Sequence, residues 1–190
     1  MKVLGIMGSP RIGGNTDLLL DEALRGAAEA GADVEKVVAD RLKMVPCKEI
    51  YQCEKDGTCP FKDDMQPLYQ TILDADVVIA ASPMFFYTVS PQILTFISRC
   101  QALWARRYIL KNLDIPLKKG AFIGVGATKG SKLFDGARLT MKYFFDAINA
   151  VYTADLLVRG VDKKAEIKDH PDALKDAYEL GRNLVTGATA

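Results

Sequence analysis

The sequence predicts a doubly wound α/β fold whose five parallel strands lie in the order 2-1-3-4-5. Three observations carry that expectation. Short, β-rich apolar runs alternate with longer stretches of helical spacing along the chain. The clearest runs are apolar throughout rather than alternating, as befits parallel strands covered on both faces. The first run opens into a Gly-rich loop that leads directly into a helix.

The elements follow in order. Lys2 to Gly8 (KVLGIMG) is a near-continuous apolar run and the first strand. Asn15 to Ala30 places Leu18, Leu19, Leu20, Ala23, Leu24 and Ala27 at helical spacing, with Asn15 and Thr16 as natural caps. Val34 to Val38 is a second, more polar strand, and Ala75 to Ser82 (ADVVIAAS) is the cleanest buried strand. Pro91 to Trp104 reads as one helix, Gly120 to Ala127 as the fourth strand and Leu133 to Ala147 as a helix. Tyr152 to Val158 is the fifth strand, and Asp172 to Leu184 closes with a helix after Pro171. No repeat, low-complexity tract or linker divides the chain, so one domain over 1–190 is expected. The one interruption is a Cys-bearing insertion from Lys43 to Lys62, between the second strand and the next helix.

Composition narrows the function. The 190 residues are 49% hydrophobic and 26% charged, which excludes whole-chain disorder. Basic and acidic side chains number 25 and 24 and leave a net charge of +1, so no sustained basic surface is available for nucleic acid or anionic lipid. No apolar run approaches the roughly 20 residues of a membrane span. The start, MKVLGIMGSPR, reads as a strand and a turn rather than a signal peptide, and a cytoplasmic location is expected.

In a sheet of this order, ligands bind beyond the carboxyl ends of the strands, between strands one and three. After strand one stands Gly8-Ser9-Pro10-Arg11-Ile12-Gly13-Gly14-Asn15-Thr16. Its small residues let backbone curl around an anion at the helix N-terminus. Ser9, Asn15 and Thr16 can donate hydrogen bonds, and Arg11 can balance a dianion. Asn15 stands where a nucleotide-binding Lys would be, so the loop is no Walker A motif, and it is not G-x-G-x-x-G. A phosphate monoester suits it, although an ordinary Gly-rich turn with helix caps has the same composition.

After strand three come Pro83, Met84, Phe85, Phe86 and Tyr87. Three consecutive aromatics at a loop tip either cover a flat ring or plug a core or subunit interface. After strand four, Thr128, Lys129 and Gly130 form another loop open to a ligand. A phosphate cradle, an aromatic shelf and a permissive turn at one edge suit a flat mononucleotide, FMN.

GSPRIGGNT, SPMFFYTVSPQ and GATKGSKLFDG, in this order, resemble the NAD(P)H-dependent FMN reductase family of flavodoxin-like proteins, and more closely its iron–sulfur flavoprotein branch. The resemblance implies that Ser9, Arg11, Gly14, Asn15 and Thr16 hold the FMN phosphate. It implies that Pro83, Met84, Phe85, Phe86 and Tyr87 line the isoalloxazine, with Thr128, Lys129 and Gly130 closing the other side. It also implies NAD(P)H as electron donor and a homodimer or homotetramer. Cys47, Cys53 and Cys59 resemble the cluster ligands of that branch, and Asp63-Asp64-Met65 follows as its members have it. Ile50 stands where the second cluster Cys belongs, and a [4Fe–4S] cubane usually takes four thiolates.

The loop therefore has several readings. It can hold a cluster through three thiolates and a non-Cys donor, bind zinc with another ligand, or survive without metal as an interface element. Cys100, on the helix after strand three beside Arg99, is a poor fourth ligand. His170, the sole histidine, lies beside Pro171 as a helix-entry residue. No side chain is assigned as nucleophile or acid–base catalyst, because the flavin carries the chemistry. The expected function is transfer of electrons from NAD(P)H to a quinone, a flavin or another acceptor. The competing readings are an iron–sulfur/FMN electron-transfer protein docking with partners such as ferredoxin, and a non-redox module binding another phosphate ligand. Among the remaining aromatics, Tyr143 to Phe145 is expected as helix core.

Overall fold

In the computed structural model, which describes residues 1–112 and 115–188, the first apolar run forms β1 (Lys2–Met7), buried from Val3 onward. The four other positions of the expected 1–190 domain lie outside the described residues. β1 pairs in parallel with β2 (Asp33–Val38) on one side, Val3 opposite Val34, and with β3 (Val77–Pro83) on the other, Val3 opposite Val77. β4 (Lys118–Gly126) and β5 (Ala150–Arg159) complete the sheet in the order β2-β1-β3-β4-β5, as expected for a flavodoxin-like chain. The direction of strand addition reverses between β1 and β3.

Side-chain alternation divides each strand between two cores. Val3, Met7, Val77, Ile79, Ala121 and Ile123 face α1 (Asn15–Glu29) and α7 (Ala173–Thr186). Leu4, Ile6, Val78, Ala80 and Phe122 face the opposite helices, α3 (Met65–Asp74), α4 (Pro91–Arg99) and α6 (Asp135–Ala147). Both faces are covered, which is why the strands read as continuous apolar runs.

The structure corrects several expectations. The helix expected from Pro91 to Trp104 is two, α4 and α5 (Gln101–Tyr108), separated at Cys100. The Arg99 carbonyl is taken by the Tyr69 hydroxyl at 3.0 Å, and the Leu103 amide turns to Cys100 O instead. Asn15 and Thr16 do not cap α1. Gly14 is the N-cap and no side chain caps it. The Asn15 amide group is drawn off by the segment after β5, donating to Lys163 O at 2.9 Å and accepting from Ile167 N at 3.1 Å. Tyr143 is 63% exposed, whereas Phe144 and Phe145 are core. A five-residue helix, α2 (Gln52–Asp56), lies within the Cys-bearing insertion. The fifth strand carries a bulge at Thr153, since Gly120 pairs with Tyr152 and Ala121 with Ala154.

Candidate functional site

A cleft opens at the carboxyl edge of the sheet where β1 and β3 diverge. Ser9, Arg11, Gly14, Asn15 and Thr16 form one wall, and Pro83, Met84 and Phe85 form another. These eight of the thirteen expected cofactor residues are brought together. Phe86, Tyr87, Thr128, Lys129 and Gly130 stand outside the lining, although Tyr87 packs against the 130–136 segment.

The first wall is a tight backbone curl. Ser9 Oγ accepts from the Arg11 amide at 3.1 Å, and Arg11 O accepts from the Gly14 amide at 3.0 Å. Glycine is required at position 14, since a Cβ would stand 2.9 Å from Arg11 O. The first N–H groups of a helix have no acceptor within it, so the start of α1 offers donors to an anion. Asp17 in that first turn would oppose an anion, but it is paired: it accepts from the Gly13 amide at 2.7 Å and from Lys36 Nζ at 2.5 Å. Burial works against the Lys36 ammonium, yet its bonds to Asp17 and Asp21 outweigh burial and raise its pKa. Arg11 is exposed and has no carboxylate partner among the described residues, so its charge remains free for a ligand.

The two loops are tied together by a residue that sequence reasoning passed over. Ser90, fully buried at the N-cap of α4, donates to Gly8 O at 2.5 Å and accepts from the Ile93 amide at 3.4 Å. Its own amide donates to Ser82 Oγ at 2.9 Å. Ser90 thereby fixes the post-β1 curl against the post-β3 loop. Val161, Asp162 and Lys164 after β5 close the remaining side, also unforeseen. The position of Gly160 to Lys164 at the end of the fifth strand was the available signal, because the carboxyl-edge rule covers every strand.

The Cys-bearing insertion is pinned to the body by one buried cation. The Arg99 side chain has no solvent exposure and makes a forked ion pair with Asp63 at 2.5 and 3.1 Å. It also donates to Val45 O at 3.0 Å and to Cys59 Sγ at 3.3 Å. Burial pushes the Asp63 carboxyl up, but the Arg99 guanidinium outweighs it and holds the pKa below the usual Asp value. Gln66 holds Cys59 O at 2.8 Å, Arg106 holds Gly57 O at 2.7 Å, and Ser98 Oγ accepts from the Cys47 amide at 3.1 Å. Cys47, Cys53 and Cys59 line one pocket together with Ile50 and Arg99. Among the described residues, no group of three His, Cys, Asp or Glu is placed to hold a metal ion. Cys100 is buried in the apolar core, 3.6 Å from Phe96 O, where burial drives its thiol pKa up, and it does not line that pocket.

Asp63→Asn tests this clamp. It is expected to cost about 2 kcal/mol, below the roughly 3–5 kcal/mol for breaking a fully buried pair, because Asn keeps one acceptor. The insertion should also become sensitive to limited proteolysis. A variant that melts and resists protease like the parent would remove Arg99–Asp63 as the clamp.

The model of the family described as NADPH-dependent FMN reductase matches residues 1–154. This chain belongs to that family. The match runs from β1 into β5 and takes in both walls of the cleft and the Cys-bearing insertion. Within the family, the chain is 36% identical over 129 residues to an iron–sulfur flavoprotein of Methanocaldococcus jannaschii, covering 68% of this chain and 64% of that one. It is 40% identical over 99 residues to an iron–sulfur flavoprotein of Archaeoglobus fulgidus, covering 52% and 45%. The alignments thus span about half to two thirds of these relatives' lengths. Among solved structures, the NAD(P)H:quinone oxidoreductase from Methanothermobacter marburgensis superposes with a TM-score of 0.73 at 18% identity, over 97% of this chain and 98% of that one. At that identity the superposition establishes the fold. Among the described residues, no helix of this reductase-family chain is long and apolar enough to cross a membrane.

Proposed function

We propose that the protein is an FMN-dependent oxidoreductase that takes electrons from NAD(P)H and passes them to a quinone, a flavin or another small acceptor. The observation that carries this reading is the cleft at the β1/β3 divergence, with a charge-neutralised helix start on one side and an aromatic-bearing loop on the other. In this reading Ser9, Arg11, Gly14, Asn15 and Thr16 hold the FMN phosphate, and Pro83, Met84 and Phe85 border the ring. Thr128, Lys129 and Gly130 belong to the adjacent loop after β4, with Tyr87 seated against it. Bound FMN supplies the redox chemistry, accepting a hydride and releasing electrons singly or in pairs. The chain's own residues bind and orient. The sole histidine, His170, is exposed and outside the cleft, so no side chain is assigned as a proton donor.

A four-thiolate cluster does not fit the residues present. Ile50 occupies the pocket position beside Cys47, Cys53 and Cys59 and cannot ligate iron. The reading as an iron–sulfur/FMN electron carrier, with docking to ferredoxin-like partners, needs that second centre and is not preferred. A homodimer or homotetramer is the assembly we infer, supported by the exposed Leu139 and Tyr143 of α6 and Val151 of the edge strand β5.

Flavin titration tests the reading. Arg11→Ala is expected to weaken FMN binding about tenfold, the lower end for loss of a charge-assisted hydrogen bond. Asn15→Asp should weaken it as well, by placing a carboxylate in the cradle and losing the donor to Lys163 O. Unchanged fluorescence quenching of FMN by both variants would remove the assignment of the phosphate cradle. Steady oxidation of NAD(P)H by the loaded protein distinguishes an oxidoreductase from an electron carrier.

A further inference from the structure

The turn after β3 is built against local preference. Phe85 and Thr88 exchange both backbone hydrogen bonds, each 2.9 Å, which makes Phe86 and Tyr87 the corner residues of a two-residue hairpin. Their φ values are +48° and +63°. Such corners select Asn and Gly, because a Cβ crowds the backbone in the left-handed region. Two adjacent aromatics there store strain.

The surroundings hold the corner in place. A Cβ at Gly136 would stand 2.7 Å from Tyr87 O, and one at Gly130 would stand 3.0 Å from Tyr87 Oη, so both glycines make room for Tyr87. Phe85, on the other side, lines the cleft. Phe86, between these two anchored residues, is 100% exposed. A large apolar side chain that buries nothing adds nothing to folding, and its backbone conformation subtracts from it. Strain retained under a fully exposed aromatic points to a ligand outside the fold.

We propose that Phe86 is the specificity-determining residue for the electron acceptor, stacking its ring on a planar quinone-type ring at the mouth of the cleft. This rests on the FMN reading of the cleft. The segment Met84 to Ser90 carries no charged side chain, which suits a neutral ring rather than a phosphorylated donor. Ile12, 43% exposed on the post-β1 loop, adds apolar surface at the same sheet edge. A ring already fixed by the backbone loses little freedom when it stacks, so its contribution to binding is largely retained. The net reaction is NAD(P)H + H⁺ + quinone → NAD(P)⁺ + hydroquinone: the donor loses two electrons, and the two quinone carbonyls become hydroxyls.

Phe86→Gly separates this role from a structural one, because it removes the ring and the strain together. The FMN-loaded protein is assayed with 1,4-naphthoquinone, and with ferricyanide as an acceptor that has no ring to stack. The ratio of the two kcat/KM values should fall about five- to tenfold, through the KM for naphthoquinone, as expected for one aromatic stack. The Tm should rise by about 2–4 °C as the corner relaxes. Phe86→Trp should keep the parent ratio. An unchanged ratio in Phe86→Gly overturns the proposal, as does a lower Tm, which would make Phe86 a structural residue. Loss of FMN in parallel would place Phe86 on the cofactor. A lower sedimentation coefficient with an unchanged ratio would place it between copies of the chain. Failure of the parent to bind FMN is seen in the parent's own titration and brings down the functional reading itself; a parent that binds FMN with an unaltered variant ratio brings down this inference alone.

Discussion

Ile50→Cys is expected to raise bound iron from background to about four atoms per chain on anaerobic reconstitution, with matching sulfide, since a cubane takes four thiolate ligands. Three thiols line one pocket in the parent, one short of the cubane's four, and they must draw together to take it. Ile50 lines the same pocket as Cys47, Cys53 and Cys59, and it is 55% exposed, so little core packing is lost when it is replaced. It stands between two left-handed residues, Glu49 at φ +52° and Tyr51 at φ +60°, which set the course of the backbone around the pocket. The insertion is anchored above all by Arg99, which bonds Val45, Asp63 and Cys59. Thiols must lose protons to bind iron, and burial raises the Cys53 pKa, so loading should be better at mildly alkaline pH. Iron and sulfide assays with an absorption spectrum decide the matter. Background iron in the variant would mean that position 50 is not the missing ligand. Full iron in the parent would mean that three thiolates suffice, and would revive the electron-carrier reading.

The framework was legible because burial on both sheet faces leaves a direct trace in sequence. ADVVIAAS reads as a central strand since β3 is covered by α1 and α7 on one side and by α3, α4 and α6 on the other. The position of the cleft followed from strand order and chain direction alone. What sequence could not supply were side-chain bonds spanning long separations. Asn15 looked like a helix cap, and its commitment to Lys163 and Ile167 depends on a loop 148 residues or more away. The break at Cys100 depends on Tyr69 reaching the Arg99 carbonyl, while the helical spacing on both sides is unbroken. Ser90 drew no notice in the sequence, because only the fold brings Gly8 to it. Sequence treated the three aromatics after β3 as one group. Their separate fates, in the cleft, in solvent and against Gly130, are set by a hairpin whose corner residues argue against a turn in sequence.

Gly181→Ala is expected to lower stability by about 3 kcal/mol or more, a fall in Tm of roughly 10 °C, in place of the usual gain of about 1 kcal/mol for Gly→Ala in a helix. The sign reverses because α1 and α7 touch through their backbones. A Cβ at position 181 would stand 1.8 Å from Ala23 O, and one at Gly26 would stand 2.0 Å from Tyr178 O. Neither oxygen belongs to a side chain that could rotate away, so the helices must separate. That movement has a functional consequence. In the proposed reading the N-terminus of α1 holds the phosphate, and α7 packs beside α1 over the same face of the sheet. FMN affinity should therefore fall together with Tm, although Gly181 touches nothing in the cleft. Lys175→Ala, at an exposed position of the same helix, should leave both nearly unchanged. Thermal melts and FMN titrations of the two variants test both consequences. A stable Gly181→Ala would show that α1 and α7 separate at little cost. A destabilised variant with parental FMN affinity would show that the cradle is held by the Ser90 tie and the β1 curl, independently of α7.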